Sequence, residues 1–218
     1  MNTSVVQEKL KTYVQSQINN FFPDNGDLSN LNAVIKKALI KVENNFKHVA
    51  LSHYYKNNEI YFNHLNADQY TVFIYYASNV AYEIYNDINL ATKLFYLNKV
   101  LHQFHCMYST KLPDIFLLIH GTGIVLGKAK YSNYLVLSQN CNIGANDKLE
   151  YPEIAEFIIL YPNSSIIGRS EINKNCCISN GVFINNQNIL PNKLIIGRSP
   201  NLTIKEDKKT RFNYFFNI

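Results

Sequence analysis

The sequence predicts an α+β fold: a helical N-terminal domain followed by a parallel β-helix of hexapeptide repeats. Two observations carry that prediction. From Ile119 to Leu202 an aliphatic or aromatic residue returns at every sixth position, with one slip of register. The first run is Ile119, Val125, Tyr131, Leu137 and Ile143. The second is Ile154, Leu160, Ile166, Ile172, Ile178, Ile184, Leu190, Ile196 and Leu202. A helix has a period near 3.6 and a plain strand a period of 2, so neither gives this beat. A coil whose short strands stack one turn above another does. Upstream of Pro113 the apolar residues recur at helical spacing instead.

The helical half reads in order. Residues 4–21 form an amphipathic helix with Val5, Leu10, Val14 and Ile18 on one face, stopping near Pro23. Asp24-Asn25-Gly26-Asp27 is a loop. A second helix runs from Leu31 to Phe46, capped from Ser29 or Asn30. Residues 52–63 suggest an extended pair around the polar turn Lys56-Asn57-Asn58-Glu59. Two longer helices follow at roughly 66–85 and 88–109, the first capped by Asn66, and Pro113 ends the region. The expected organisation is a helical domain over 1–112, the β-helix over 113–204 and a tail over 205–218.

In the β-helix three hexads make one turn of a triangular prism, and each hexad start points into its interior. The fifth positions Ser164, Ser170, Cys176 and Val182 are small enough for the corners. Ile143 to Ile154 is eleven residues rather than twelve and contains Asp147, Lys148, Glu150 and Pro152. A polar break of this kind marks a loop leaving the prism, where function concentrates.

Composition narrows the partners. With 47% hydrophobic and 17% charged residues the chain is a folded protein. A net charge of +5, spread along the chain, gives no nucleic-acid footprint. The one dense basic stretch, Lys205, Lys208, Lys209 and Arg211, reads as a solvated tail. No apolar run reaches the roughly 18 residues of a membrane span, and Glu8, Lys9 and Lys11 exclude a signal peptide. Cys106, Cys141, Cys176 and Cys177 lack metal-ligand spacing. They read as buried reduced thiols, which implies a cytoplasmic location and no metal.

At Ile119-His120-Gly121-Thr122-Gly123-Ile124-Val125-Leu126-Gly127 the chain resembles the serine acetyltransferases. From the His onward their motif also runs His, two small residues, Gly, three aliphatics and Gly. The likeness covers about residues 66–205, including Leu94–Lys99 and His102 before the prism, and Tyr151-Pro152-Glu153-Ile154 and Ile196-Gly197-Arg198-Ser199-Pro200 within it. The resemblance implies a left-handed coil and a homotrimer or dimer of trimers, with acetyl-CoA as acyl donor meeting the acceptor in clefts between prisms. It implies that His120 is the general base, a role suited to an imidazole that is neutral near pH 7. A backbone N–H, from Gly121 or a neighbouring loop, is expected to stabilise the oxyanion. For acetyl-CoA the expected contacts are Gly168, Asn180, Gly181, Gly197, Arg198 and Lys205. Tyr151 and Asp114 are candidate acceptor-site residues; Asp114, six residues before His120, equally suits a cap after Pro113.

The departures point away from serine. Ile119 stands where that family has Asp before its base, and Tyr151 where it has a second His. Its upstream Asp has only Asp68 and Asp87 as loose counterparts. A zwitterionic acceptor needs charged partners, so the expected acceptor is a neutral hydroxyl on a surface-polysaccharide (capsule or lipopolysaccharide) sugar. Serine O-acetylation, sugar N-acetylation and a non-catalytic β-helix module stay open beside it. For the last, the tail ending Phe215-Phe216-Asn217-Ile218 matches the family's habit of binding a second enzyme through its C-terminus. His64 and Asp68 lie at helical spacing as a possible catalytic or metal pair, with capping by Asn66 the simpler reading. His102 and His105 read as core or interface residues.

Overall fold

The computed structural model describes residues 1–207 and 211–218; Lys208 and Lys209 of the basic stretch lie outside the described residues. The architecture is a helical region followed by a parallel β-solenoid. Helix α1 (Gln7–Phe21) buries Leu10, Val14 and Ile18, one residue per turn. It begins later than the apolar pattern suggests because β1 (Asn2–Thr3) pairs with β3 (Glu59–Phe62). Strand β3 also pairs antiparallel with β2 (Tyr55–Lys56), the expected extended pair. Helix α2 (Leu31–Phe46) has the expected limits, with Asn30 at its N-cap, though no side chain caps it.

Helix α3 (Ala67–Glu83) is the centre of the molecule. Every residue from Gln69 to Ala81 is buried, because α2 and α4 (Ile88–His102) flank it and the solenoid lies beneath. A helix surrounded in this way has no solvent face to keep polar. Its polar groups are used internally. The Tyr75 hydroxyl donates to Thr110 O (3.0 Å) and accepts from Leu112 N (2.8 Å), tying down the segment that enters the solenoid. Asn66 caps α3 by accepting from Gln69 N (3.1 Å), as the sequence suggests, and Asp87 caps α4 by accepting from Leu90 N (3.0 Å).

Helix α4 stops at His102, short of the expected 109. Gln103 turns left-handed (φ 53°), and His105–Cys106 form β4, already a strand of the solenoid. Three faces then build up coil by coil. The first stacks β5 (Phe116–Ile119), β8 (Leu135–Ser138), β11 (Ile158–Leu160), β14 (Cys176–Ile178) and β17 (Lys193–Arg198). The second stacks β4, β6 (Val125–Leu126), β9 (Asn142–Gly144), β12 (Ser165–Ile167) and β15 (Phe183–Asn185). The third stacks β7 (Lys130–Tyr131), β10 (Glu153–Ile154), β13 (Glu171–Ile172) and β16 (Asn188–Ile189).

Each face presents one interior column. Leu118, Leu137, Leu160, Ile178 and Ile195 form the first; Leu126, Ile143, Ile166 and Ile184 the second; Tyr131, Ile154, Ile172 and Ile189 the third. The expected beat therefore holds from Tyr131 to Ile184 and is shifted by one residue at both ends. Leu118 and Leu126, not Ile119 and Val125, stack in the first coil, and Ile189 and Ile195 replace Leu190 and Ile196, which are 62% and 39% exposed. Ser164, Ser170, Cys176 and Val182 are buried at the corners as expected. The break after Ile143 is one hexad plus a five-residue insertion, since Ile154 lies on the next face. Asn146 organises that insertion, accepting from the N–H groups of Lys148 and Glu150 (both 3.0 Å).

After β17 the chain doubles back as antiparallel β18 (Asn201–Glu206). The C-terminal segment, with the short helix α5 (Phe212–Phe215), then returns to the helical region. Phe212 packs edge-on to Phe157, Phe216 edge-on to Tyr134, and Tyr134 stacks on Phe157 at 4.4 Å. Ala50 N donates to Phe215 O and Asn217 N to His48 O (both 2.8 Å). Among the described residues no helix is long and apolar enough to cross a membrane. The register makes a testable distinction. Ile178→Ala should cost about 2–5 kcal/mol in urea denaturation, whereas Ile196→Ala should cost less than about 1 kcal/mol; equal losses would contradict the stacking.

Candidate active site

The prism edge that follows the first face begins with His120. In later coils six residues separate the interior side chains across this edge, Leu137 to Ile143, Leu160 to Ile166 and Ile178 to Ile184. In the first coil eight separate Leu118 from Leu126. The two extra residues make a bulge in which His120 is left-handed (φ 54°) and its side chain exposed. His is one of the few non-glycine residues enriched in that region. The one-residue shift in the beat at Ile119 and Val125 is this bulge.

Asp68, in the first turn of α3, holds the bulge. Its carboxylate accepts from His120 N (Oδ2, 2.9 Å) and from Gly121 N (Oδ1, 2.7 Å), two charge-assisted bonds to successive backbone groups. Two expectations change as a result. The Gly121 N–H is committed to Asp68 and is not a free oxyanion donor. Asp68 is also not paired with His64, whose Nδ1 lies 2.7 Å from Ser4 Oγ. Asp87 is a helix cap, bonded in addition by Asn30 Nδ2 (2.9 Å).

Beside the bulge lies a cavity of about 820 Å³. Its walls come from α3 and α4 (Asp68, Thr71, His102), the bulge (His120, Thr122) and the C-terminal segment (Tyr214, Phe215). Ser52, His53 and Asn66 add to the polar lining, and no Lys or Arg among the described residues lines it. His102 is not merely a core histidine: it faces this cavity. Burial lowers its pKa to about 4, so it is neutral at physiological pH. His105 fits the packing role expected of it, edge-on to Phe95 at 5.2 Å.

The same edge continues upward from His120. Asn140 N donates to Thr122 O (2.8 Å), Asn163 N to Gln139 O (3.0 Å) and Gly181 N to Pro162 O (3.0 Å), so four corners lie in a column. Strands stack about 4.8 Å apart, which puts the Gly181 corner about 14 Å from the His120 corner. Asn180 is exposed there, and a Cβ on Gly181 would meet nothing within 4 Å. Arg198 caps the column, its Nη1 3.4 Å from Gly181 O and its guanidinium over the Phe183 ring. His120, Asn180, Gly181 and Arg198 are thus brought to one edge.

The other candidates lie elsewhere in the chain. Gly168 is on the second edge, beneath Asn186, near the five-residue insertion that carries Tyr151, which is 38% exposed. Gly197 sits in the β17–β18 hairpin, where a Cβ would come within 3.0 Å of Asn201 O, and Lys205 is exposed on β18 opposite Leu194. Asp114 lies before β5 and His120 after it, roughly 20 Å apart at strand rise. Asp114 lines a separate cavity with Lys41, Lys47 and His48. The four cysteines are buried free thiols, as expected, and burial raises them, Cys177 to about 12. Among the described residues no group of three or more His, Cys, Asp or Glu is arranged to hold a metal.

No family model matches this chain, and no curated relative matches it. Solved structures do. A serine acetyltransferase from Vibrio cholerae is 18% identical with a TM-score of 0.71, over 92% of this chain and 80% of that one. One from Neisseria gonorrhoeae is 18% identical with a TM-score of 0.69, over 94% and 81%. A serine acetyltransferase from Brucella abortus, solved in complex with coenzyme A, is 12% identical with a TM-score of 0.69, over 94% and 84%. The likeness, over nearly the whole chain, is one of fold.

Two outcomes test the site's construction. Asp68→Ala, which strips two backbone N–H groups of their acceptor, should lose about 2 kcal/mol by denaturant titration. For His102 the unfolded chain takes up a proton below about pH 6.5, whereas the native site resists until about pH 4. Stability should therefore fall with pH through that window, by on the order of 3 kcal/mol from this residue. The other lowered histidines act in the same direction, so the measurement is a difference: His102→Phe should flatten the acid limb relative to wild type.

Proposed function

We propose that this chain is an acetyl-CoA-dependent O-acetyltransferase whose general base is His120. The observation that carries the reading is the single prism edge with His120 at one end and the open Gly181 corner, Asn180 and Arg198 at the other. Acetyl-CoA supplies an acetyl thioester. Its pantetheine arm would follow the edge at Asn180 and Gly181, and Arg198 would meet its phosphates. The coenzyme A bound in a structural neighbour supports this reading. His120 takes the proton of the acceptor hydroxyl as that oxygen bonds the acetyl carbon. The C–S bond breaks, and His120 returns the proton to the departing thiolate. The buried thiols are not needed as nucleophiles.

The acceptor in this reading is a sugar hydroxyl of a surface polysaccharide or its precursor, acetylated in the cytoplasm. Support comes from the cavity beside His120, where among the described residues no Lys or Arg is placed to meet a carboxylate and the one acidic side chain already holds two backbone N–H groups. The active assembly in this reading is a homotrimer. Gly168 and Tyr151, on the second edge, would then reach the site from a neighbouring copy. Release of thiol from acetyl-CoA, measured with serine and with a panel of sugars, tests the assignment. His120→Ala should lower transfer by at least about a hundredfold, with sedimentation mass unchanged at three times 25.2 kDa. Full transfer by that variant would remove His120 from the mechanism.

A further inference from the structure

We infer that His102 is an acceptor-binding residue: its Nε2 accepts a hydrogen bond from a hydroxyl of the acceptor other than the one attacked at His120. The inference rests on the acetyltransferase reading and adds a specificity element on α4. Its basis is a tautomer fixed by three residues. Asn98 is buried, and its Nδ2 donates to Thr71 O (3.1 Å), which orients the amide. Its Oδ1 is then an acceptor, and it lies 2.8 Å from His102 Nδ1. His102 must carry its proton on Nδ1, leaving a lone pair on Nε2. Tyr70 packs edge-on to the ring at 5.8 Å and limits its rotation. Among the described residues no protein group is bonded to Nε2.

The chemistry of the partner follows from this arrangement. Burial keeps the imidazole neutral, so it offers no attraction to an anion. A lone pair at fixed position in a cavity selects a hydrogen-bond donor. A cation would suit it less than a hydroxyl, since charge brought to Nε2 is desolvated and an uncharged imidazole does not neutralise it. His120 and His102 line the same cavity, one from the solenoid bulge and the other from the end of α4. A ligand that satisfies both bears at least two hydroxyls, one for transfer and one for recognition. A polyhydroxylated ring meets that requirement.

The test compares wild type, His102→Phe and His102→Gln in transfer from acetyl-CoA to the methyl glycosides of glucose, galactose and mannose and to their monodeoxy analogues. With the best glycoside, one analogue that keeps the acetylated hydroxyl should fall about tenfold in kcat/KM with wild type. That analogue and its parent should be equivalent with His102→Phe, while KM for acetyl-CoA stays unchanged in every protein. His102→Gln, which keeps an acceptor oxygen, should restore part of the discrimination. If His102→Phe discriminates among the analogues as wild type does, or weakens all of them equally, the inference is overturned while the acetyltransferase reading stands. Loss of that reading shows instead as transfer indifferent to His120→Ala. A second measurement needs no acceptor: long-range 1H–15N spectra at pH 7 should find His102 protonated on Nδ1, and a proton on Nε2 would overturn the inference.

Discussion

The constraint on which the structure depends is the narrowness of the prism. Each coil has room for one interior side chain per face, stacked on the one below at strand spacing. Leu118, Leu137, Leu160, Ile178 and Ile195 make such a column, every member buried. Anything beyond that allotment is expelled. Several corners take small residues such as Ser164 and Ser170, whose hydroxyls bond back to Tyr161 O and Ile167 O (both 2.7 Å). Extra residues must bulge outward, and the chain does this at His120 and Gly121 and again after Gly144. The interior is uniform, and the departures from it set the His120 bulge and the Tyr151 insertion on the outside of the prism.

The three edges divide the work. The first carries the His120 column, and the second the insertion with Tyr151. The third carries the aromatic pair Tyr134 and Phe157, against which Phe212 and Phe216 close. Helix α3 links the edges to the helical region, since it supplies Asp68 at one end and the Tyr75 hydroxyl that fixes the solenoid entrance. The C-terminal segment is therefore part of the molecule's wall. Phe216 is buried while Tyr214 and Ile218 stay exposed, so only part of the tail is committed to that wall.

The repeat was legible in the sequence because the prism filters it so strictly, and its limits were not, for a definite reason. At each end two apolar residues compete for one inward position: Leu118 with Ile119, Val125 with Leu126, Ile189 with Leu190, Ile195 with Ile196. Hydropathy cannot choose between neighbours that are equally apolar. The end of α4 was hidden because Phe104 and Cys106 continue an apolar pattern and the left-handed Gln103 gives no glycine signal. His120 stands out in the sequence through its motif. The Asp68 clamp does not, because 52 residues separate acid from amide and no local spacing records the contact. In the sequence His102 reads as packing; its place on the cavity wall and its bond to Asn98 come from the structure.

The docked C-terminal segment also bears on how the molecule assembles. Within the solenoid each strand pairs with one about a coil away, so folding can spread along the prism as a zipper with modest loop entropy. The contact of Asn217 Nδ2 with Val49 O spans 168 residues. It joins the region folded from the front of the chain to a segment beyond the final coil. Contacts of such separation form late, because the chain between them must already be ordered to bring them together. Tyr214 and Phe215 enter the cavity wall only with that closure. The prism can thus be complete, coil upon coil, while the chamber beside His120 still stands open on one side.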